Sequence, residues 1–221
     1  MWVGLPALTL LVFSLAACRT TSFVAEPGDQ PGPLPELLAR AVDTSQFADL
    51  PPLQPGIGSF DAESGCRVNF ETYSRVELGD AEAMVVLGHG FLRDMETMRG
   101  WAMHFAEFGI PTAVVSFCDS SIFNGRHDRN AVVMQQVARI VAGPDYPVVY
   151  AGFSAGGLSA MLAAATDPRA AGYLGLDPVD SGGLAEQIDV LPVPSLILYG
   201  EPDRCNAQNN MLQSVPFSDR K

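Results

Sequence analysis

A serine flanked by glycines is the residue of this sequence best suited to do chemistry. Ser154 stands in the segment Gly152–Gly156 (GFSAG), which follows the apolar run 147–151 and precedes the apolar run 158–165. This order predicts a strand, a sharp turn and a helix, with the serine hydroxyl presented at the edge of a sheet. Glycines two residues before and after the serine let strand and helix approach, and the serine is expected to have a strained backbone. Ser154 is therefore a candidate nucleophile, and a tight structural turn is the alternative.

Two backbone amides could stabilise the negative charge that forms when such a serine attacks a carbonyl. The N–H of Ala155 lies at the start of the predicted helix, where the helix dipole is positive. The buried run 83–88 ends in the sequence His89-Gly90-Phe91, a turn in which the N–H of Phe91 can face the serine. We therefore predict an oxyanion hole made by the amides of Phe91 and Ala155. Ordinary core packing is the alternative for the Phe91 side chain.

The remaining apolar segments alternate between strand and helix spacing. Strands are predicted at 83–88, 111–117, 147–151, 171–176 and 195–199, and helices at 97–108, 130–142, 158–165 and 207–214. Strands of about five residues that alternate with helices imply a mostly parallel sheet with right-handed crossovers. The expected fold class is α/β, with helices on both faces of a doubly wound sheet.

Three motifs carry a resemblance to a known family. The turn at His89-Gly90-Phe91, the turn at 152–157 and the sequence Leu176-Asp177-Pro178-Val179-Asp180 together resemble the chlorophyllase-like and bacterial polyester-hydrolase-like branch of the α/β-hydrolase superfamily, which is related to dienelactone hydrolase. The resemblance covers residues 64–212. It implies a sheet of the α/β-hydrolase type and hydrolysis of a carboxylic ester by a serine, an acid and a histidine, without specifying the ester.

Two aspartates compete for the role of the acid. The resemblance assigns it to Asp177 in the Asp-Pro-Val motif, at the end of a buried strand that would hold a carboxylate rigidly. Asp203 follows the next strand, where many other α/β-hydrolases carry the acid. The alternative for either residue is a loop aspartate that caps a helix or a turn.

The base is harder to assign, because the sequence holds three histidines and all of them precede Ser154. In the family that the chain resembles, the histidine follows the serine and the acid, on a loop after an eighth strand. The resemblance therefore predicts that this chain lacks the histidine, the last strand and the last helix, and that it is inactive or impaired. His89 is expected to brace its turn, His104 to lie on a helix surface and His127 to lie in a solvated polar loop. His89 and His127 remain alternative bases.

The amino terminus predicts a bacterial lipoprotein. The apolar stretch 2–17 is too short to span a membrane comfortably and ends in Leu15-Ala16-Ala17-Cys18, which resembles a lipobox. Cys18 would carry the lipid and anchor the protein in the cell envelope, on the outer membrane or facing the periplasm. The first four residues lack the usual Lys or Arg. Residues 19–58 are expected to form a Pro- and Gly-rich tether with a short helix, which leaves one hydrolase-type domain at 59–221.

The net charge restricts the classes of molecule that this protein is expected to bind. The net charge of −12 argues against nucleic acid and against electrostatic adhesion to anionic lipid. A neutral or hydrophobic ester, small or polymeric, fits this surface, and no cofactor or metal is expected. The alternative to an esterase is a non-catalytic binding or structural lipoprotein on the same scaffold, with an acyltransferase as a third possibility.

The cysteines give one further expectation. If Cys18 carries lipid, three cysteines remain, an odd number for an oxidising compartment. In the strand order 1-2-4-3-5-6-7-8, the strand ends at Cys118 and Cys205 lie roughly 19 Å apart at about 4.8 Å per strand. These two cysteines are therefore not expected to pair, and Cys205 is expected to be the odd one.

Overall fold

The computed structural model describes residues 51–121 and 124–214. Its strands are β1 (Gly56–Asp61), β2 (Arg67–Tyr73), β3 (Met84–Gly88), β4 (Thr112–Val115), β5 (Ser120–Ser121), β6 (Asn124–Gly125), β7 (Val148–Phe153), β8 (Ala170–Leu176) and β9 (Ser195–Leu198). The α-helices are α1 (Arg99–Glu107), α2 (His127–Ala142), α3 (Ala155–Thr166) and α4 (Met211–Ser214). Short 3-10 helices lie at Leu78–Asp80, Met95–Met98, Ala185–Gln187 and Ala207–Asn209.

Seven strands form one sheet in the order β1-β2-β4-β3-β7-β8-β9, and β5 pairs with β6 in a separate two-stranded ribbon. The strands from β4 to β9 of this sheet are parallel, whereas β1 and β2 are antiparallel to their neighbours. If the two strands of the ribbon are left out and the remaining strands are renumbered along the chain, their order across the sheet is 1-2-4-3-5-6-7. This is the order expected for the described strands. The predicted α/β fold class is confirmed.

Helices cover both faces of the sheet because the central strands are apolar on both sides. Every residue of β3 is buried, and consecutive side chains of a strand point to opposite faces. Val86 belongs to the core beneath α2 and α3, which also contains Met134 and Met161. Leu87 belongs to the second core, beneath α1, with Ala102. The sheet is therefore doubly wound, and its parallel strands end together at one edge.

The structure differs from the sequence predictions in three places. The hairpin of β1 and β2 was not predicted, and β1 begins at Gly56, inside the range 19–58 predicted as a tether. Helix α2 begins at His127, three residues before the predicted start. The segment 207–214 is broken, because Gln208 has the non-helical φ of 59°. Cys18 and the predicted lipobox lie outside the described residues. Among the residues that are described, no helix is long and apolar enough to cross a membrane.

Candidate active site

Ser154 has a strained backbone conformation at the junction of β7 and α3. Its φ of 52° and ψ of −122° lie in a region that a residue with a side chain rarely adopts. The surrounding chain holds it there: the Ser154 N–H donates to the Leu176 carbonyl at 3.0 Å, and the Ser154 carbonyl accepts from the N–H of Gly157 at 2.9 Å and of Val179 at 3.2 Å. The strain expected at the turn is therefore observed, and such strain is typical of functional sites.

The glycines around Ser154 are required by close backbone approach. A Cβ on Gly152 would lie 2.2 Å from the carbonyl oxygen of Gly156, on the other side of the turn. A Cβ on Gly156 would lie 2.3 Å from the carbonyl oxygen of His89. The first clash would push β7 and α3 apart, and the second would push α3 away from the turn after β3. The spacing GxSxG therefore brings three segments together at one point.

The turn after β3 lies directly beside the serine. A Cβ on Gly90 would lie 3.3 Å from Cβ of Ser154 and 2.9 Å from Cδ1 of Phe153. Among the described residues, the N–H groups of Phe91 and Ala155 have no hydrogen-bond acceptor. Free backbone donors thus follow directly on Gly90 and on Ser154, the two residues that approach each other, and an oxyanion hole requires donors of this kind. The Phe91 side chain is 36% exposed, so the alternative of core packing for this ring is wrong.

His89 supports this turn through both ring nitrogens. Nε2 accepts from the Phe117 N–H at 3.0 Å, so the ring proton is on Nδ1, which donates to the Gly90 carbonyl at 2.8 Å. The Phe117 ring also packs on the imidazole, with centroids 4.9 Å apart. Burial lowers the pKa of His89 below its usual value. His89 therefore braces the turn as expected, and neither nitrogen is available as a base for Ser154.

His127 is not in a solvated loop, which corrects the sequence prediction. It is the first residue of α2 and is only 4% exposed. Its Nδ1 lies 3.4 Å from Oγ of Ser159 on α3. Burial also lowers the pKa of His127, against the opposite effect of the Asp128 carboxylate. The sequence prediction failed because the loop residues around His127 are polar, whereas its burial comes from α3.

None of the three histidines hydrogen-bonds to the Ser154 hydroxyl. His89 and His127 make the contacts given above, and His104 is exposed on α1, where its ring meets the edge of Phe108. Among the described residues, Oγ of Ser154 makes no hydrogen bond at all. The structure thus brings Ser154 close to the turn that carries Phe91 and to the start of α3, as predicted from the sequence, and no imidazole of the described residues bonds to the serine hydroxyl.

The two candidate acids occupy different environments. Asp177 directly follows β8, in which Leu176 pairs with Phe153 of β7. Asp177 and Ser154 are therefore the first residues after a pair of neighbouring parallel strands. Its Oδ1 accepts from the Gly200 N–H and from Nδ2 of Asn206, both at 3.2 Å. Oδ2 has no hydrogen bond among the described residues. By contrast, Asp203 is exposed, and its Oδ1 accepts from the N–H of Cys205 and of Asn206 within its own turn.

A disulfide joins Cys66 to Cys118, which the sequence analysis did not identify. The disulfide joins the start of β2 to the segment that carries Phe117. Two residues after Cys118, the Ser120 carbonyl accepts a hydrogen bond from the Leu92 N–H at 3.4 Å. The prediction that Cys118 and Cys205 do not pair is confirmed. Cys205 is disulfide-bonded as well, so the expectation that it is the odd cysteine is wrong.

The sequence was compared with protein-family models and with curated proteins, and nothing matches in either comparison.

Proposed function

We propose that this chain has a fold of the α/β-hydrolase type and that Ser154 is the nucleophile of a carboxylic ester hydrolase site. The observation that carries the proposal is the strained backbone of Ser154 beside two free backbone donors. In this reaction Oγ attacks the carbonyl carbon while its proton passes to a base, and the N–H groups of Phe91 and Ala155 stabilise the oxyanion. The alkoxide leaves with that proton, and water then releases the acid from the acyl-serine.

Asp177 is the proposed acid. It lies at the same sheet edge as the serine turn, and its free Oδ2 could accept the Nδ1–H of an imidazole. The carboxylate of Asp203 is already used to hold its own turn. We therefore expect Asp177→Ala to affect a reaction that involves an imidazole, whereas Asp203→Ala should affect mainly the local loop.

The same scaffold supports a second function, a non-catalytic binding lipoprotein. The observation that favours it is the absence of an imidazole at the Ser154 hydroxyl among the described residues, which include all three histidines. Loss of a triad member leaves a residual rate of about 10³ to 10⁴ over water, due to binding and the oxyanion hole. We therefore propose that this chain by itself is inactive or strongly impaired as an esterase.

Chemical rescue separates the two functions. Hydrolysis of p-nitrophenyl acetate is measured with and without added imidazole, which can act as a base at the Ser154 hydroxyl. We expect little turnover without imidazole and a Ser154-dependent increase with it, beyond the increase seen with Ser154→Ala. Gly100→Ala serves as the control for an inert substitution, because a Cβ there meets nothing within 4 Å. Equal rates for wild type and Ser154→Ala at every imidazole concentration would favour the binding lipoprotein.

The lipid anchor remains a proposal as well. A membrane-attached esterase would hydrolyse neutral or hydrophobic esters at the cell envelope, and each buried CH₂ of the lipid would contribute about 0.8 kcal/mol to attachment. Cys18 can be lipidated or oxidised to a disulfide, but not both. The mass of the amino-terminal peptide, with and without reduction, distinguishes these fates. Membrane fractionation that persists in Cys18→Ala would contradict the anchor.

A further inference from the structure

We propose that His127 is a positioning residue that supports both oxyanion donors from behind the Ser154 turn. This inference rests on the proposed function, because it assigns a role within the same oxyanion hole. His127 is one of two buried histidines, and its side chain reaches from the first turn of α2 to the start of α3. It makes no hydrogen bond with the Ser154 hydroxyl, so its effect must pass through the residues that it touches.

One side of the imidazole supports Ala155. Nδ1 lies 3.4 Å from Oγ of Ser159, and this hydroxyl donates to the Ala155 carbonyl at 3.4 Å. Because the Ser159 hydroxyl donates to this carbonyl, its oxygen accepts from the imidazole, and Nδ1 carries the ring proton. His127 thus fixes the first residue of α3, whose N–H is the first oxyanion donor.

The other side of the imidazole faces the turn that carries Phe91. A Cβ on Gly125 would lie 3.5 Å from Nε2 of His127 and 3.9 Å from Cε2 of Phe91. The imidazole and the Phe91 ring therefore both approach the same point beside Gly125. The imidazole is thus coupled to Ala155 through the Ser159 hydroxyl and to the Phe91 ring at the point beside Gly125.

A small cavity lies in the same place. Its volume is about 10 Å³, close to that of one water-sized probe. Asn130, which is 2% exposed, stands one turn after His127 on α2 and lines this cavity with His89 and Ser120. Its Nδ2 donates to the Asp119 carbonyl at 2.9 Å, whereas its Oδ1 has no partner among the described residues. Polar groups on the first turn of α2 therefore support the back of the oxyanion turn, where an apolar side chain would suffice for packing alone.

Phenylboronic acid tests this role without requiring turnover. Oγ of Ser154 adds to the trigonal boron and releases its proton to solvent, and the resulting tetrahedral boronate places an oxygen at the oxyanion donors. We expect a Ser154-dependent adduct with the wild type, and the same affinity with His104→Leu, which removes an exposed imidazole. His127→Leu should bind about tenfold more weakly or worse in its folded fraction, while His127→Asn, whose amide nitrogen takes the place of Nδ1, should retain most of the affinity.

The outcomes separate this inference from the proposed function. A wild-type protein that forms no Ser154-dependent adduct contradicts the proposed function and this inference with it. A folded His127→Leu protein that binds like the wild type contradicts this inference alone. If His127→Leu does not fold, His127→Asn is compared with His127→Gln, whose amide takes the place of Nε2. The Asn variant should bind more tightly than the Gln variant, and equal affinities would overturn the inference.

Discussion

The carbonyl oxygen of His89 and the α-carbon of Gly156 approach each other so closely that a Cβ on Gly156 would lie 2.3 Å from that oxygen. The contact joins the turn after β3 to the first turn of α3. It is a contact between two backbone segments, so no side-chain rotation can relieve a clash there. Position 156 therefore sets the distance between Ser154 and the turn that carries Phe91.

Gly156→Ala should destabilise the protein and disturb the candidate site. The new methyl group would overlap backbone atoms of His89 and also of Gly88, at 2.6 Å, and overpacking of this kind costs about 1–3 kcal/mol or more. Gly100→Ala on α1 is the matched control, and it should stabilise the protein by about 0.5–1 kcal/mol. Urea unfolding gives both values. Equal stability of Gly156→Ala and wild type would contradict the close approach.

The stability should fall as the pH falls from about 7.5 to 5.5. Burial holds the pKa of both His89 and His127 below the unfolded value near 6.5, although Asp94 opposes this effect at His89 and Asp128 and Asp180 oppose it at His127. The unfolded chain therefore takes up protons first, and the free energy of unfolding decreases by up to about 1.4 kcal/mol per pH unit for each imidazole.

Urea unfolding at several pH values measures this slope. His127→Asn should reduce the slope, because one of the two buried imidazoles is removed. His104→Asn, which changes an exposed side chain, should leave the slope as it is in the wild type. A stability that rises as the pH falls through this window would show that the buried histidines are protonated in the folded protein.

The double substitution Cys66→Ser/Cys118→Ser should lower the free energy of unfolding by about 4 kcal/mol, because the disulfide closes a loop with a sequence separation of 52 residues. It should also loosen Phe117, whose N–H holds the imidazole of His89. Thermal unfolding measures the first effect, and hydrogen exchange at the Phe117 amide measures the second. Unchanged exchange at Phe117 would indicate that β4 alone fixes this segment.

Leu196→Lys should reduce self-association at high protein concentration. β9 is an edge strand of the described sheet, and Leu196 and Leu198 on its surface are 45% and 43% exposed. An apolar edge strand favours pairing with another chain, and an edge lysine opposes it. Ile140→Lys on α2 changes an equally apolar exposed position away from the edge and serves as the control. Analytical ultracentrifugation that shows equal association of both variants would contradict a role for β9.

The sequence by itself determined the local features of this protein. The segment Gly152–Gly156 between two apolar runs predicted the strand, the turn and the helix, together with the strain at Ser154 that the structure has. The alternation of apolar segments predicted the α/β class. These features depend on backbone geometry and on periodicity within short segments, both of which are encoded by neighbouring residues. The hairpin of β1 and β2 had a signal too, because the apolar and buried residues Val68 and Phe70 alternate with the polar and exposed residues Arg67 and Asn69, but this short alternation was missed.

Only the tertiary structure decided which distant residues meet. It buried His127 against Ser159, which is 32 positions away, and paired Cys66 with Cys118. It also left one oxygen of Asp177 free, while Asp203 holds its own turn. A polar residue has the same local sequence whether solvent or a helix covers it, so its neighbours in the chain do not determine its role. Burial and partners arise when the helices pack on the sheet, because packing brings side chains together across many intervening residues.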